Sequence, residues 1–251
     1  MNDIEIVRGA RAEGRKTAKD FIGKCISDFV ELSGDRLYGD DKAIIAGIGR
    51  IGDMPVTIIG IEKGHDTKDR IEHNFGSVRP EGYRKAFRLM KQAEKFGRPV
   101  ICFVDTAGAY CDVEAEEHGQ GRAIAENLFE MSDLRTPILS IVIGEGGSGG
   151  ALALSHADRI WMLDDAYFSV VSPESCSNIL WKTTDRADVA AASLGLTAGK
   201  LFLLGIVDKV IKGSDIDGLS SLIYELLKEL MLLSKEELLE SRYKKFRSIG
   251  Y

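Results

Sequence analysis

Long apolar runs, paired cysteines and basic blocks are what this 251-residue chain lacks, and each absence excludes a class of function. No run is apolar for long enough to span a bilayer, so no membrane partner is expected. The N-terminus shows no charged-then-apolar secretory pattern. The four cysteines, Cys25, Cys102, Cys111 and Cys176, stand far apart with no CxxC pair. That argues against a zinc site or a disulfide framework, so no metal is expected here and a reduced, cytoplasmic setting fits. Cys102 reads as a small buried hydrophobe and Cys111 as a bystander near a turn. Against 39 acidic residues there are 33 Lys and Arg, a net charge of −6 that argues against a nucleic-acid partner. Arg8, Arg11, Arg15, Lys16 and Lys19 crowd the N-terminus, but Asp3, Glu5 and Glu13 are interspersed. A solvated helix face is the expected reading of that cluster rather than a transit peptide.

What is present is an ordinary globular composition, 44% hydrophobic and 29% charged, with enough length for a sizeable core. Residues 1–34 read as helical, with Ile22, Cys25, Ile26 and Phe29 at helical spacing. Residues 42–51 and 55–61 read as strands joined around Gly52-Asp53, a hairpin. Residues 81–96 form an amphipathic helix closed by Gly97. A rhythm of strand, turn and helix follows: strands at 99–104, 137–143 and 159–163, helices near 116–131, after 150 and from Pro173. Such alternation implies parallel βα units with their functional turns on one sheet edge. Ser172-Pro173-Glu174 gives a capped helix start, and Ser234-Lys235-Glu236-Glu237 divides a leucine-rich tail (217–246) into two helices. Leu222, Leu226, Leu227 and Leu230 exceed one helix face, with core packing the expected use and a partner surface the alternative.

The run Gly144-Glu145-Gly146-Gly147-Ser148-Gly149-Gly150, directly after the strand at 137–143, carries the chemistry. Glycines bury no side chain and cost backbone entropy, so five in seven residues are not expected to serve core packing; they are expected to let a ligand approach bare backbone and to point free N–H groups at it from a helix start. Three readings fit. Gly144-x-Gly146-x-x-Gly149 satisfies a dinucleotide fingerprint, with Asp164 and Asp165 about twenty residues on, where a ribose-binding acid would stand. Gly146-x-Ser148-x-Gly150 satisfies a nucleophile elbow. Of His65, His73, His118 and His156, however, only His156 follows the serine, eight positions along the same expected helix. A P-loop is rejected because Gly150-Ala151 stand where Lys and Ser/Thr are needed. The third reading, an oxyanion hole of backbone N–H groups at a helix start, uses the glycines, the dipole and the lack of a nearby base together.

Several further runs make the chain similar to a known family. Gly34-Asp35-Arg36-Leu37-Tyr38-Gly39-Asp40-Asp41-Lys42-Ala43, Asn74-Phe75-Gly76, Pro80-Glu81-Gly82-Tyr83-Arg84-Lys85-Ala86, the glycine run through Ala153, and Ser172-Pro173-Glu174 with Ile179-Leu180-Trp181-Lys182 resemble the α subunits of acetyl-CoA carboxylase carboxyltransferase, in order, from about residue 20 to Tyr251. The resemblance implies an α/β, crotonase-like fold of repeated ββα units with N- and C-terminal helical extensions. It places the extension at 1–33, the carboxyltransferase core at 34–214 and the C-terminal helices at 215–251.

The activity it implies moves CO₂ from carboxybiotin, held on a separate biotin carboxyl carrier protein, to acetyl-CoA, giving malonyl-CoA for fatty acid biosynthesis. Charge develops on the ureido oxygen of biotin and on the thioester oxygen, so two oxyanion holes are required. Carried onto this sequence, the biotin-side donors are Gly149 and Gly150, with Gly146, Gly147, Ala107, Gly108, Ala109 and Tyr110 lining the cleft. The acyl-CoA hole and a zinc ribbon belong to a β subunit, and the expected assembly is a heterotetramer of two α and two β chains. Glu145 is expected to complement the helix dipole, with an acid of the kind related hydratases carry on this fold as the alternative, and Arg84, Lys85, Lys63 and Arg70 to meet ligand charge or form a solvated basic face. A valine at Gly150 is expected to block the hole and spare the fold. Ala107 stands where the family carries proline and Cys111-Asp112 where it carries Pro-Gly, which leaves the acyl acceptor open. A paralogous biotin-dependent carboxylase or decarboxylase subunit and a non-catalytic scaffold are the alternatives.

Overall fold

The computed structural model describes residues 2–213 and 216–250. The expected boundary between core and C-terminal helices, at 214–215, falls outside the described residues. One mixed sheet organises the chain. Its strands are β1 (Ser27–Glu31), β2 (Ile44–Ile51), β3 (Met54–Ile61), β4 (Val100–Thr106), β5 (Ile138–Gly147), β6 (Arg159–Leu163), β7 (Tyr167–Ser169) and β8 (Lys209–Ile211). The spatial order is β1-β2-β3-β4-β5-β6-β8, with β7 pairing the far end of β5. The first three strands are antiparallel, and every pairing from β3 onward is parallel. The hairpin turns at Gly52-Asp53, with Gly52 at φ 58°. This is the α/β, crotonase-like arrangement that the motif runs imply.

Every residue of β4 and β5 is buried, as central parallel strands covered on both faces must be. The hairpin register shows how the covering is done. Ile45 pairs with Gly60 and Ile44 with Ile61, so the two pairs point to opposite faces. A Cβ at Gly60 would lie 2.8 Å from Ala18 Cβ, so glycine lets α2 (Ala18–Cys25) settle on one face. On the other face Gly82 of α4 (Pro80–Phe96) packs against Ile44. Helix α4 carries proline at its start and ends on Gly97 at φ 65°, the left-handed stop its sequence announces.

Three expectations need correction. Residues 1–34 are not one helical stretch. They hold α1 (Asp3–Ala10), α2 and the edge strand β1, which contains Phe29. Pairing overrides helical spacing there, because a Cβ at Gly47 would lie 2.1 Å from Val30 O; bare backbone on β2 admits β1. The helix near 116–131 is two, α5 (Val113–Glu117) and α6 (Gln120–Asp133), broken at Gly119 with φ 81°. The strand at 137–143 continues to Gly147, since residues 145–147 pair with β7. The glycine run is therefore largely strand, and the turn itself falls at Gly147-Ser148, where α7 (Ser148–Leu152) begins.

The remaining helices are α8 (Pro173–Trp181), α9 (Ala187–Leu194), α10 (Ala198–Leu203), α11 (Leu219–Met231) and α12 (Lys235–Ser248), with α3 (Thr67–Glu72) before α4. Ser234 and Glu237 form the capping box that opens α12. Buried Arg242 of α12 binds Asp158 at 2.9 and 2.8 Å and the carbonyls of Met131, Leu134 and Thr136. Of the four tail leucines, Leu227 and Leu230 enter the core and Leu222 stays exposed. Among the described residues no helix is long and apolar enough to cross a membrane.

Candidate functional site

The C-terminal ends of β4 and β5 lie side by side, with Thr106 paired to Gly146. The loop after β4 and the start of α7 are thereby brought together, at the edge where open parallel sheets bind ligands. The approach is close. A Cβ at Gly147 would lie 2.1 Å from Ala107 O, and one at Gly150 would lie 2.6 Å from Ala109 N and 2.9 Å from Tyr83 Oη. Gly144 makes room for the Asp105 carboxylate and Gly146 for Phe168. Four of the five glycines thus have a packing reason inside the protein, contrary to the expectation that the run serves an external ligand alone. A valine at Gly150 would strike backbone, so that variant cannot spare the fold.

Gly149 is different. A Cβ there meets only Ile124 Cγ2, at 3.7 Å. Among the described residues, neither the Gly149 nor the Gly150 amide donates to an acceptor outside the helix, as the first turn of a helix dictates. Gly149 lines a pocket of about 310 Å³ with Ser148, Leu152, Phe168, Val170 and Leu201 among its walls. Gly150 lies buried just behind it, its carbonyl accepting from Tyr83 at 3.1 Å. The site therefore offers amides at a helix start beside an apolar wall; of the expected cleft residues, Gly146, Gly147 and the loop of Ala107, Gly108, Ala109 and Tyr110 do not line this pocket, and Ala107–Ala109 pack against Gly147 and Gly150 instead. Tyr110 is half-buried in the same loop, its ring 4.3 Å from the Arg79 guanidinium. Asp112, in the altered part of this loop, accepts from Ala115 N at 2.7 Å and caps α5. Cys111 is exposed.

Glu145 does not sit at the helix start. It is buried at the end of β5 in a cluster of charges. Lys63 bonds its carboxylate, Arg11 Nε reaches it at 2.8 Å and Tyr167 Oη donates at 2.5 Å. Burial pulls the Glu145 pKa upward, but Lys63, Tyr167 and Arg11 outweigh it and hold it below the usual carboxylate value. Asp105, whose Oδ1 accepts from Glu145 N at 2.8 Å, goes the other way, because complete burial outweighs Lys63. Burial and Glu145 together push the Tyr167 hydroxyl upward. Arg11 also holds Glu174 at the start of α8, at 2.8 Å. The N-terminal basic cluster is therefore not wholly a solvated face. Sequence reasoning missed Arg11, Tyr167 and Glu174, whose roles rest on contacts spanning more than a hundred and thirty residues in the case of Arg11.

The other basic candidates turn inward too. Lys85 is fully buried and donates to Asp40 at 2.6 Å and to Asp41 O. Arg84 bonds Asp35 at 2.8 Å and Glu81 at 3.0 Å. Arg70 Nε faces Gly64 O at 3.4 Å. None of these three forms a solvated basic face.

The rival readings of the glycine run lose their partners. His156 stacks on Phe246 at 3.9 Å, and burial beside Arg242 and Lys245 pushes it down to about 4, so it supports α12 rather than Ser148. Ser148 is exposed at the first position of α7, with φ 53°. Asp165 binds Arg15 at 2.6 Å and Asp164 accepts from Gly213 N at 2.9 Å, so both expected ribose acids hold a neighbouring segment. Gly146, the fingerprint's second glycine, which must admit the pyrophosphate, is closed by Phe168, 2.7 Å from where a Cβ would lie.

A family model described as acetyl co-enzyme A carboxylase carboxyltransferase-like matches residues 1–250. The chain is 52% identical over 256 residues to the acetyl-coenzyme A carboxylase carboxyl transferase subunit alpha of Ruminiclostridium cellulolyticum, covering 100% of this chain and 98% of that one. It is 54% identical over 260 residues to the corresponding subunit of Alkaliphilus oremlandii, covering 100% of this chain and 82% of that one. Among solved structures, transcarboxylase 12S matches with a TM-score of 0.74 at 19% identity, over 90% of this chain and 44% of that one. The geranyl-CoA carboxylase β subunit of P. aeruginosa matches with a TM-score of 0.71 at 18% identity, over 94% and 46%. At these identities the structures speak to the fold.

Proposed function

Because this chain belongs to the family of acetyl-CoA carboxylase carboxyltransferase α subunits, we propose that it supplies the biotin-side half of the transferase site, with Gly149 and Gly150 as its oxyanion hole. Carboxybiotin, delivered on a carrier protein, would supply activated CO₂ and a ureido oxygen on which negative charge develops. The observation that carries this reading is that the Gly149 and Gly150 amides have no acceptor outside the helix among the described residues, while Gly149 lines the 310 Å³ pocket. The fit is chemical. The apolar wall of Leu152, Phe168, Val170 and Leu201 suits a neutral bicyclic ring, and the amides suit its single oxygen.

The chain's own residues do three things in this scheme. The amides bind oxygen more tightly as charge grows, which is worth about 3 kcal/mol per donor. The apolar pocket walls offer the ligand oxygen no competing hydrogen bonds and so favour the amides as its partners. The close packing of Gly147 and Gly150 on Ala107–Ala109 fixes the amides, so little reorganisation is needed during reaction. No side-chain base is required, because the biotin nitrogen can take the methyl proton of acetyl-CoA. Ser148, exposed and without a histidine partner, has no nucleophilic role.

A second hole for the thioester oxygen would come from a zinc-ribbon-bearing β subunit, in an assembly of two α and two β chains. Exposed Ile179, Leu180, Phe202, Leu203 and Leu204 on and after α8–α10 supply apolar surface of the kind a partner covers. The test is reconstitution. The chain is assayed alone and with a β subunit, using carboxylated carrier protein and acetyl-CoA. Malonyl-CoA should appear only with both chains. Robust transfer by this chain alone would overturn the half-site reading, and none from the assembled pair would overturn the assignment of the reaction.

A further inference from the structure

The N-terminal segment reaches the glycine turn from the side opposite its pocket wall. Arg11, the residue capping the end of α1, is one-third exposed and spans three segments at once. Its Nε donates to Glu145 Oε2 at 2.8 Å, its Nη1 to Glu174 Oε1 at 2.8 Å and its Nη2 to Tyr167 Oη at 3.3 Å. Those acceptors lie at the end of β5, on β7 and in the first turn of α8. Four residues on, Arg15 binds Asp165 at 2.6 Å and Ile143 O at 2.8 Å, beneath the same turn. Ile4, Val7 and Ala10 bury the inner face of α1, so the backbone that presents Arg11 is itself anchored.

These three segments frame the pocket. Glu145 stands four residues before Gly149, Tyr167 immediately precedes the wall residue Phe168, and Glu174 closes the stretch that runs from Val170. Tyr167 Oη bonds Glu145 directly at 2.5 Å and β7 pairs β5 over three residues, but α8 begins after an irregular stretch, and Arg11 is what ties Glu174 to the other two. A planar guanidinium with fixed donors is suited to hold two carboxylates and a hydroxyl at set angles, whereas an ammonium holds one at a time.

We infer that Arg11 is a positioning residue for the oxyanion turn, fixing Gly149 relative to the pocket wall through Glu145, Tyr167 and Glu174. The inference rests on the function proposed above but is separable from it. A residue acting this way leaves substrate affinity alone and lowers turnover, since a misplaced donor fails at the transition state. A residue needed only for folding lowers the amount of intact complex and leaves the survivors normal.

The experiment uses the chain assembled with its β subunit. Arg11→Gln should lower kcat for malonyl-CoA formation by about 10²-fold while KM for acetyl-CoA stays within about twofold. Arg11→Lys should recover part of the loss, and Arg8→Gln, exposed on the same helix, should match wild type. Wild-type kcat in an assembled Arg11→Gln complex overturns the inference. Should Arg11→Gln fail to assemble, Glu174→Gln decides, because Glu174 is at the exposed rim while Arg11 keeps Glu145. Its kcat should fall about tenfold, and a wild-type value overturns the inference. Hydrogen exchange separates the two claims. Residues 144–152 and 167–176 should exchange faster in Arg11→Gln, or in Glu174→Gln, with α4 unchanged. If wild type makes no malonyl-CoA, the function is wrong, and exchange still judges the clamp: unchanged protection overturns it.

Discussion

Valine at Gly149 separates the amide site from the packing around it. The Cβ meets one side-chain carbon at ordinary van der Waals distance, 3.7 Å, and the backbone φ lies outside the left-handed region. Valine in a helical first turn is a few tenths of a kcal/mol more favourable than glycine, so stability should stay within about 1 kcal/mol of wild type. The added methyls stand beside those two helix-start amides at a pocket of about 310 Å³. Denying the ligand oxygen one donor costs about 3 kcal/mol of transition-state binding, a 10²–10³-fold fall in kcat. Gly150→Ala is the contrasting variant. Its single carbon would lie 2.6 Å from Ala109 N and 2.9 Å from Gly108 C, backbone atoms that cannot yield cheaply. Overpacking of that kind costs about 1–3 kcal/mol, which for a chain of this size lowers Tm by roughly 2–4 °C per kcal/mol. The assay is malonyl-CoA production by each variant with a common β subunit, beside thermal melting. Gly149→Val should be folded and inactive, and Gly150→Ala inactive and less stable. A folded Gly149→Val complex with kcat within about threefold of wild type would refute the placement of the hole at this turn.

Ser148→Gly should keep transfer activity and raise Tm by a few degrees, because glycine accepts φ 53° without the strain of roughly 1 kcal/mol that serine bears; complete loss of turnover would restore the hydroxyl as a nucleophile. Arg242→Met should destabilise the chain by about 3–5 kcal/mol, since it leaves buried Asp158 without its cation, and a urea midpoint equal to wild type would contradict this. His156, held down to about 4, is neutral when folded, so the unfolded chain binds more protons between its ordinary value of 6.5 and 4. Stability should therefore fall as pH drops through that window, on the order of 1–2 kcal/mol after allowance for partial solvent screening. His156→Phe should flatten that part of the urea-midpoint profile, and an unchanged slope would show that other groups set it.

The parts of this fold legible in the sequence are those fixed by signals a few residues apart. Pro80 and Gly97 bound α4, Ser172 and Pro173 open α8, and Ser234 with Glu237 opens α12, each through backbone rules that need no tertiary partner. The apolar runs of β4 and β5 are legible for the same reason, since burial on both faces leaves no polar positions. Strand β1 was not, because Ser27–Glu31 become a strand by pairing with β2 where Gly47 has no side chain, a fact about another segment. The same division runs through the site. Dense glycine says that something approaches backbone closely, and all three motif readings of residues 144–150 are restatements of that one fact. Which atoms approach is decided by Asp105, Ala107, Ala109 and Phe168, and spacing within the run carries no information about them. Subtracting those internal approaches leaves Gly149 as the position with open space, so the structure narrows the motif where the sequence could only count its glycines. The charges beneath obey the same logic. Glu145 looked like a dipole partner because of its neighbours in sequence, whereas Lys63, Arg11 and Tyr167 define it in space. A buried carboxylate needs such partners to remain ionised, so any segment that supplies one becomes part of the site, including an N-terminal helix whose arginines read as surface.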